Sequence, residues 1–296
     1  MSESSLKRWC DQGLIKVVRT GGGHRKIAVP EVLRFALEHG HVLKSPEVLG
    51  LPPSSEQSGI GLAQARPRLV ESLLGGDELV VRQIVFDLYL AKHALSVIFD
   101  QVIASAFRII GERWECNEVD VYQERRACEI TLRTLFELRR NLPDFDARWT
   151  AVGGTLEGDH YALPSAMAEL VLLESGYHAT SMGTSIPIES LVNSVHQEKP
   201  RLFWLSVSHI RDDYDLVGKF SALSEACMAS GTALVVGGRA LTDDLRHRMN
   251  YSAYGDTMQH LEGFARALLR SSKGGEPSYE PGPRTLGFLS DGDPQT

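Results

Sequence analysis

The chain has 296 residues, of which 43% are hydrophobic and 23% charged, and this composition excludes disorder over most of its length. No run of about 18 uncharged apolar residues and no apolar N-terminal signal region occur, so no membrane helix or secretory leader is predicted. The four cysteines form no Cys-x-x-Cys pair, which argues against a zinc cluster and a disulfide framework and favours a reducing cytoplasm.

The net charge of −7 is unevenly distributed along the chain. Between Leu6 and Lys26, six basic residues stand against the single acid Asp11, which gives this stretch +5 and leaves −12 for the rest. A compact basic patch on an acidic protein is typical of a nucleic-acid-binding module, although a solvated charged face has the same composition. The basic residues are Lys7, Arg8, Lys16, Arg19, Arg25 and Lys26.

Composition divides the chain into five segments, each of which favours a different structure. They are a basic, glycine-punctuated module (1–43), a Pro/Ser/Gly-rich linker (44–67), a helical segment (68–145), a segment in which β-rich and helical runs alternate (146–272) and a disordered tail (273–296).

The first segment predicts a helix, a hairpin and a second helix. Ser2 or Ser4 can cap the first helix, and Thr20–His24 forms a glycine-rich hairpin tip. Pro30, at a first helical position, opens a second helix that runs to Glu38. This order of elements places a basic wing beside a helix.

The runs SESSLKRWCDQGLI and RTGGGHRKI resemble the winged helix-turn-helix of MerR-type and excisionase-type DNA-binding proteins. In that family the first of these helices enters the major groove and the Gly-His-Arg wing grips phosphates. In that family a further helix precedes these elements. We therefore expect either that the start site of this sequence is placed too late or that the helix-turn-helix is truncated. The resemblance implies a double-stranded DNA operator as partner, with Ser4, Lys7 and Arg8 near base edges and Arg19, His24, Arg25 and Lys26 on phosphates.

Residues 68–145 show helical periodicity with few breakers. Val81, Ile84, Val85 and Leu88 fall on one helical face, and later runs continue the pattern. The segment therefore predicts a bundle of about four helices, with turns at Gly75-Gly76 and at 116–120.

Three runs of this segment, LLGGDELVVRQIV, DQVIASAFRIIGERW and EVDVYQERRACE, resemble the helical cap beside cobalamin-binding domains. In that family a Trp, followed ten residues later by Glu-His, lies over the upper face of the corrin ring. Trp114 and Glu124 match this spacing, whereas Arg125 stands in the His position. The alternative is that Trp114 anchors the hydrophobic core at a helix end.

Residues 146–272 predict βαβ units that form a parallel sheet, because short apolar runs alternate with helical runs. In such sheets ligands bind at the carboxyl ends of the strands. The expected strands are Trp149–Gly153, Ala179–Met182, Leu202–Ser206 and Ala233–Val236, and the expected helices are Pro164–Glu174, Ile188–Gln197, Leu216–Ala229 and Leu261–Arg270.

This segment is similar to the cobalamin-binding fold, whose first loop carries a His that coordinates cobalt from below. Aligned through GGTLEGD, Asp159 keeps the acidic residue of the loop, but Tyr161 stands at the ligand position and Pro164 replaces a Gly. His160 lies one residue too early, and such a shift rotates a side chain by about 100° at a helix start. His160 is therefore a metal ligand only if the loop shifts, and Tyr161→His should restore the site.

Two further features match the family's lining of the nucleotide-tail tunnel. Ser206-Val-Ser208 corresponds to a Ser-x-Ser motif, and Gly237-Gly238 corresponds to a glycine pair that lets the tail pass close to the backbone. The alternative is that these small residues only permit tight turns at strand ends.

The complete layout resembles cobalamin-dependent, often light-responsive transcriptional regulators. In those proteins cobalamin, bound between cap and sheet, controls oligomerisation and operator occupancy. The resemblance implies a non-enzymatic, DNA-binding homodimer or homotetramer with cobalamin as cofactor. The departures at Arg125, Tyr161 and Pro164 predict weak or absent binding of cobalamin. In any cobalamin that does bind, we expect no protein His on the cobalt.

Three functions remain open from the sequence. One is the corrinoid- or light-sensing regulator, and the second is the same regulator with a sensor that has lost cobalamin. The third is a corrinoid shuttle protein of a methyltransferase system, against which the basic wing and Tyr161 argue. Catalysis is not predicted, because no nucleophile triad, P-loop or metalloprotease motif occurs, and the Asp212-Asp213 and Asp243-Asp244 pairs favour helix N-termini.

Overall fold

The computed structural model describes residues 3–53, 61–143, 147–211 and 215–271. The predicted cap Ser2, the pair Asp212-Asp213 and the predicted tail lie outside the described residues. The chain divides into two units, 1–146 and 147–296.

The first unit begins with helix α1, a two-stranded antiparallel hairpin and helix α2, in the order that the sequence predicts. Ser4 lies inside α1 because the helix already includes Glu3, so its prediction as the cap is wrong. In the hairpin, Val18 pairs with Lys26 and Arg19 with Arg25. The elements are α1 (Glu3–Asp11), β1 (Val18–Arg19), β2 (Arg25–Lys26) and α2 (Val29–His39).

Aromatic packing and one arginine hold these elements together. The Trp9 ring of α1 lies 4.7 Å from the buried Phe35 ring of α2, centroid to centroid. Arg34 donates to Glu31 at 2.6 and 2.9 Å and to the carbonyl of Leu14 at 2.7 Å. The segment before the hairpin is thereby fixed to α2.

The helical part of this unit contains four helical rods, as predicted, and Gly76 at φ +79° forms the first turn. The third rod contains a π-helical segment, Phe99–Ala104. The rods are α3 (Leu62–Gly75), α4 (Glu78–Leu90), α5 with α6 (Leu95–Ile98 and Ser105–Glu115, joined by the π segment) and α7 (Val121–Asn141), and a 3₁₀ turn precedes them at Pro46–Leu49.

Helix α3 begins inside the predicted linker, so the linker boundary at residue 67 is too late. Pro67 lies within α3 although proline removes one backbone donor. Ala65 and Leu69, on either side of it, are buried, and their packing outweighs the lost hydrogen bond. Tertiary packing therefore decides where this helix starts.

The second unit contains a five-stranded parallel sheet of order β4-β3-β5-β6-β7 with helices on both faces, which confirms the predicted Rossmann-like class. The strands are β3 (Trp149–Thr155), β4 (Tyr177–Ser181), β5 (Leu202–Ser206), β6 (Ala233–Gly237) and β7 (Ala253–Gly255), and the helices are α8 (Ala162–Glu174), α9 (Ile188–Glu198), α10 (Leu216–Ser230), α11 (Asp243–His247) and α12 (Met258–Ser271). The sequence did not predict β7 or α11, because each has five residues or fewer and no clear periodicity.

The two faces of the sheet have different side chains. Val152, Phe203 and Leu205 belong to one buried cluster with residues of α9 and α10. Trp204 and the position of Gly153 lie on the opposite face of the sheet, because successive residues of a strand alternate between its two faces. That face is covered by α8 and α12. Within the described residues, no helix combines the length and the apolar character needed to cross a membrane.

Candidate functional site

Asp159 connects two loops at the carboxyl ends of the strands in the second unit. Its side chain is fully buried. The carboxylate accepts backbone hydrogen bonds from Tyr161 at 3.0 Å, Ser208 at 2.6 Å and His209 at 3.2 Å. This residue therefore holds the loop after β3 against the loop after β5, which explains an acidic residue at the start of the loop.

The sequence did not single out the two hydroxyls that complete this network. Thr155 donates from Oγ1 to the carbonyl of Asp159 at 2.6 Å and accepts from the Ser185 N–H at 2.9 Å. The Oγ of Ser185 accepts from the Gly158 N–H at 3.0 Å. No motif marks these residues, because the contacts join loops that are about 30 residues apart in sequence.

Tyr161, at the predicted ligand position, lies beside Arg239. The Arg239 Cζ is 5.3 Å from the centroid of the phenol ring, and its Nη2 is 3.5 Å from the phenol oxygen. The Nε of the same guanidinium is 3.5 Å from the carbonyl of Ser208. Tyr161 therefore presents a phenol in place of an imidazole, and the guanidinium places a positive charge beside it. His160, beside the buried Asp159, is exposed and lies one residue before the predicted ligand position.

Close backbone approach accounts for the Gly237-Gly238 pair. Gly238 has φ +118°, and a Cβ there would overlap the backbone of Val207. A Cβ on Gly237 would lie 2.7 Å from the carbonyl oxygen of Gly255. Ser206 is buried at the end of β5. These contacts support the alternative in which the small residues permit tight strand-end packing.

The first unit presents an apolar surface around the loop between α6 and α7. Trp114 is 49% exposed, Val121 51% and Tyr122 61%, and we call these three residues the Trp114 surface. The alternative of a core anchor is therefore wrong for Trp114. A flat apolar ring is the kind of ligand that such a surface can cover.

Glu124 and Arg125 lie next to this surface. The carboxylate of Glu124 is 3.6 Å from Arg125 Nε and accepts from the Cys128 thiol at 3.5 Å. Burial, together with the charge of Glu124, raises the pKa of Cys128 to about 12. Cys128 is therefore a neutral thiol near pH 7.

The seven predicted DNA-contacting residues are all exposed in the structure. The guanidinium of Arg25 donates to Asp11 at 2.6 Å, so one predicted phosphate contact is paired with the only acid of the basic stretch. The hairpin tip is closed by a hydrogen bond from the Thr20 N–H to the His24 carbonyl at 2.9 Å. The predicted residues are Ser4, Lys7 and Arg8 on α1 and Arg19, His24, Arg25 and Lys26 on the hairpin.

Comparisons with known proteins find similarity to a B12-binding domain family, to a transcriptional repressor and to corrinoid proteins. Residues 65–138 match a family model described as a B12 binding domain. The HTH-type transcriptional repressor CarH of Myxococcus xanthus is 27% identical over 246 residues, which cover 77% of this chain and 81% of that protein. Trimethylamine corrinoid protein 1 of Methanosarcina acetivorans is 23% identical over 45% of this chain, and the match spans only 62% of that protein.

A solved structure gives the same result for the fold. The monomethylamine corrinoid protein of Methanosarcina barkeri superposes with a TM-score of 0.58 at 14% identity and covers 70% of this chain and 100% of that one. Residues 65–138 are thus similar to B12-binding domains, and the comparisons support cobalamin as the cofactor. These relatives are named as a transcriptional repressor and as a corrinoid protein.

The residues in the structure fit cobalamin in one respect and not in another. The exposed, apolar Trp114 surface suits the face of a corrin ring. Tyr161, covered by Arg239, does not suit a corrinoid that takes its lower cobalt ligand from a protein imidazole. Cobalt ligation by a protein His is therefore not supported by the geometry.

Proposed function

We propose that this chain is a DNA-binding transcriptional regulator that responds to a bound corrinoid. The observation that carries the proposal is the presence, in one chain, of a basic helix–hairpin–helix module and a B12-binding domain. The alignment with a protein named as an HTH-type repressor extends over 77% of the chain and supports this combination.

The N-terminal module suits double-stranded DNA. Lys7 and Arg8 are neighbours on an exposed part of α1, whose nine residues are short enough to enter a major groove. Arg19 and Lys26 stand on the hairpin, where cations can contact phosphates on either side of that groove. We propose this surface, together with Ser4, His24 and Arg25, as the DNA contact.

We propose that the Trp114 surface holds the ring of the corrinoid. Trp114 and Tyr122 would cover apolar ring atoms, and Glu124 would keep Arg125 paired beside them. When bound, cobalamin supplies a light-sensitive cobalt centre. Light or the corrinoid itself would then be the signal that alters DNA binding.

A symmetric operator requires a symmetric protein, so we propose a homodimer or homotetramer as the DNA-binding form. The N-terminal module has only two helices and a short hairpin, whereas a stable interface buries about 800 Å² on each partner. We therefore expect residues 68–272 to carry most of the subunit contact.

The test is DNA affinity of the full chain with and without cobalamin. Purified protein is incubated in the dark with adenosylcobalamin, and anisotropy of a fluorescein-labelled duplex is measured before and after illumination. Sedimentation of the same samples gives the oligomeric state. A several-fold change in affinity that accompanies a change in mass supports the regulator. Bound cobalamin with no effect on DNA binding contradicts it.

The second candidate is a corrinoid carrier protein. The similarity to trimethylamine corrinoid proteins, which covers 40–45% of this chain, favours it. A carrier needs no DNA affinity, so an absence of binding to any duplex at low salt would favour the carrier over the regulator.

A further inference from the structure

Trp204 fills the space between the sheet and helix α8. It lies on β5 opposite Gly153 of β3, and only 3% of its surface is exposed. A Cβ added to Gly153 would overlap the Trp204 indole at Cγ and at Cδ2, which is one of the two atoms that the indole rings share. The indole therefore lies against the β3 backbone, in room that the missing side chain of Gly153 provides.

Hydrogen bonds fix the indole in this place. Its Nε1 donates to the Oγ of Ser165 on α8 at 3.0 Å. Ser165 is fully enclosed, and its Oγ lies 3.2 Å from the Oγ of Ser181 on β4. The buried indole N–H is satisfied, and three elements are joined through Trp204 and the two serines.

This space lies next to the predicted ligand position, because α8 begins at Ala162, directly after Tyr161. A cobalamin that takes its lower cobalt ligand from a protein must release its own benzimidazole, a bicyclic aromatic base on a long tail. The released base needs a buried apolar slot about the size of an indole. At the α8 face of β3 and β5, the indole of Trp204 itself occupies a volume of that size.

We infer that Trp204, which packs against Gly153 and donates a hydrogen bond to Ser165, excludes a released lower base from the space under α8. This chain therefore recognises corrinoids by the ring alone. Cobalamin then binds with its benzimidazole still on cobalt, and corrinoids without a lower base bind equally well. This inference rests on the proposed corrinoid binding and adds to it the class of corrinoid that the chain accepts.

The first test uses electron paramagnetic resonance of full-length, ¹⁵N-labelled protein with unlabelled cob(II)alamin. Benzimidazole nitrogen on cobalt gives a three-line ¹⁴N splitting, whereas a protein imidazole gives a two-line ¹⁵N splitting. We expect three lines. Two lines, no nitrogen splitting or no binding of the corrinoid would each overturn the inference.

The second test compares the dissociation constants of cobalamin and cobinamide, which lacks the nucleotide tail, by quenching of tryptophan fluorescence. We expect the two constants to agree within about threefold, because the protein makes no contacts to a buried base. A cobalamin preference of about tenfold or more would overturn the inference.

A pair of tryptophan variants assigns the selectivity to Trp204. Trp204→Ala opens the slot and should shift the affinity ratio at least about threefold towards cobalamin. The matched control, Trp149→Ala, removes a partly exposed indole from the same strand pair and should leave the ratio unchanged. Equal ratios of cobalamin to cobinamide affinity in the two variants would overturn the role of Trp204. If Trp204→Ala fails to fold, the wild-type spectrum and the two wild-type dissociation constants still test the inference.

DNA anisotropy, measured on the same preparations, separates this inference from the proposed function. A chain that binds DNA but inserts the benzimidazole base retains the regulator and loses the inference. A chain that binds cobalamin with three-line splitting but no DNA loses the regulator and retains the inference.

Discussion

The guanidinium of Arg239 lies over the phenol ring of Tyr161, with Cζ 5.3 Å from the ring centroid. The two residues are 78 positions apart and meet at the carboxyl ends of the strands, where a parallel sheet presents its ligand site. A cation over an aromatic face is an attractive contact, worth about 0.5–1 kcal/mol at exposed sites. It places a positive charge at the position that the family resemblance predicts for a cobalt ligand.

Replacing Tyr161 with His should create a nitrogen ligand. The positive charge of Arg239 disfavours a second cation beside it, so the new imidazole would remain neutral and able to donate. We expect ¹⁵N-labelled Tyr161→His protein to give two-line nitrogen splitting with cob(II)inamide, which brings no base of its own. His160→Ala in the same background is the control and should keep the splitting. Loss of the splitting in that control would show that His160 is the ligand.

Replacing both Arg25 and Lys26 with Ala should weaken binding to every DNA sequence. If both residues contact phosphates, the slope of log affinity against log salt should fall by about 1 per residue. Anisotropy titrations on a mixed-sequence duplex at several salt concentrations measure this slope. Arg266→Ala, an exposed cation on α12, is the matched control and should not change it. An unaltered slope in the double variant would show that the hairpin does not contact DNA.

Replacing Asp11 with Asn should strengthen DNA binding with little effect on stability. The Asp11–Arg25 pair is exposed, with 61% of the Asp11 side chain accessible, so its stabilisation is about 0–1 kcal/mol. Loss of the acid frees Arg25 and removes the one negative charge of residues 6–26, which raises their net charge from +5 to +6. Thermal unfolding and anisotropy together check both effects. Weaker binding in Asp11→Asn would instead mean that the pair orients Arg25 for its contact.

Replacing Glu31 with Gln should destabilise the protein at neutral pH and much less in acid. Hydrogen bonds from Arg34, and from the Lys16 N–H at 2.6 Å, hold the pKa of Glu31 below its usual value. A lowered folded-state pKa stabilises the protein above the unfolded-state value, and this stabilisation is lost as the pH falls through the folded-state pKa.

The measurement is the difference in Tm between wild type and Glu31→Gln at about pH 7 and about pH 3. We expect the difference to shrink as the pH falls, since protonation of Glu31 removes the charge that distinguishes it from Gln. Glu38 is the more exposed of the two carboxylates that pair with Arg34, so Glu38→Gln should show a smaller difference in Tm at neutral pH. A difference that grows in acid would contradict the assigned role of Glu31.

Local sequence was enough to predict most of the secondary structure of the described chain. The apolar run Leu202–Ser206 is β5 as predicted, and the periodicity around Val81 and Leu88 is the buried face of α4. These elements form where hydrophobic period, capping residues and breakers all favour the same structure. The alternation of strands and helices likewise predicted the parallel sheet, because the handedness and length of βαβ connections leave few other topologies.

Contacts between distant residues decided what the sequence could not. The start of α3 depends on the burial of Ala65 and Leu69, which local propensity does not register. The sequence around Trp114 is compatible with a buried and with an exposed side chain. Only the packing of α6 and α7 leaves Trp114 half exposed.

The candidate site shows the same division. The sequence by itself determined that a basic stretch precedes an acidic remainder, and its resemblance to the cobalamin-binding fold predicted Tyr161 at the position of an imidazole. Only the tertiary structure brought Arg239 over Tyr161 and Trp204 onto Gly153 and Ser165. Side chains from separate strands meet at these points, and their positions follow from strand order and register, which no local pattern encodes.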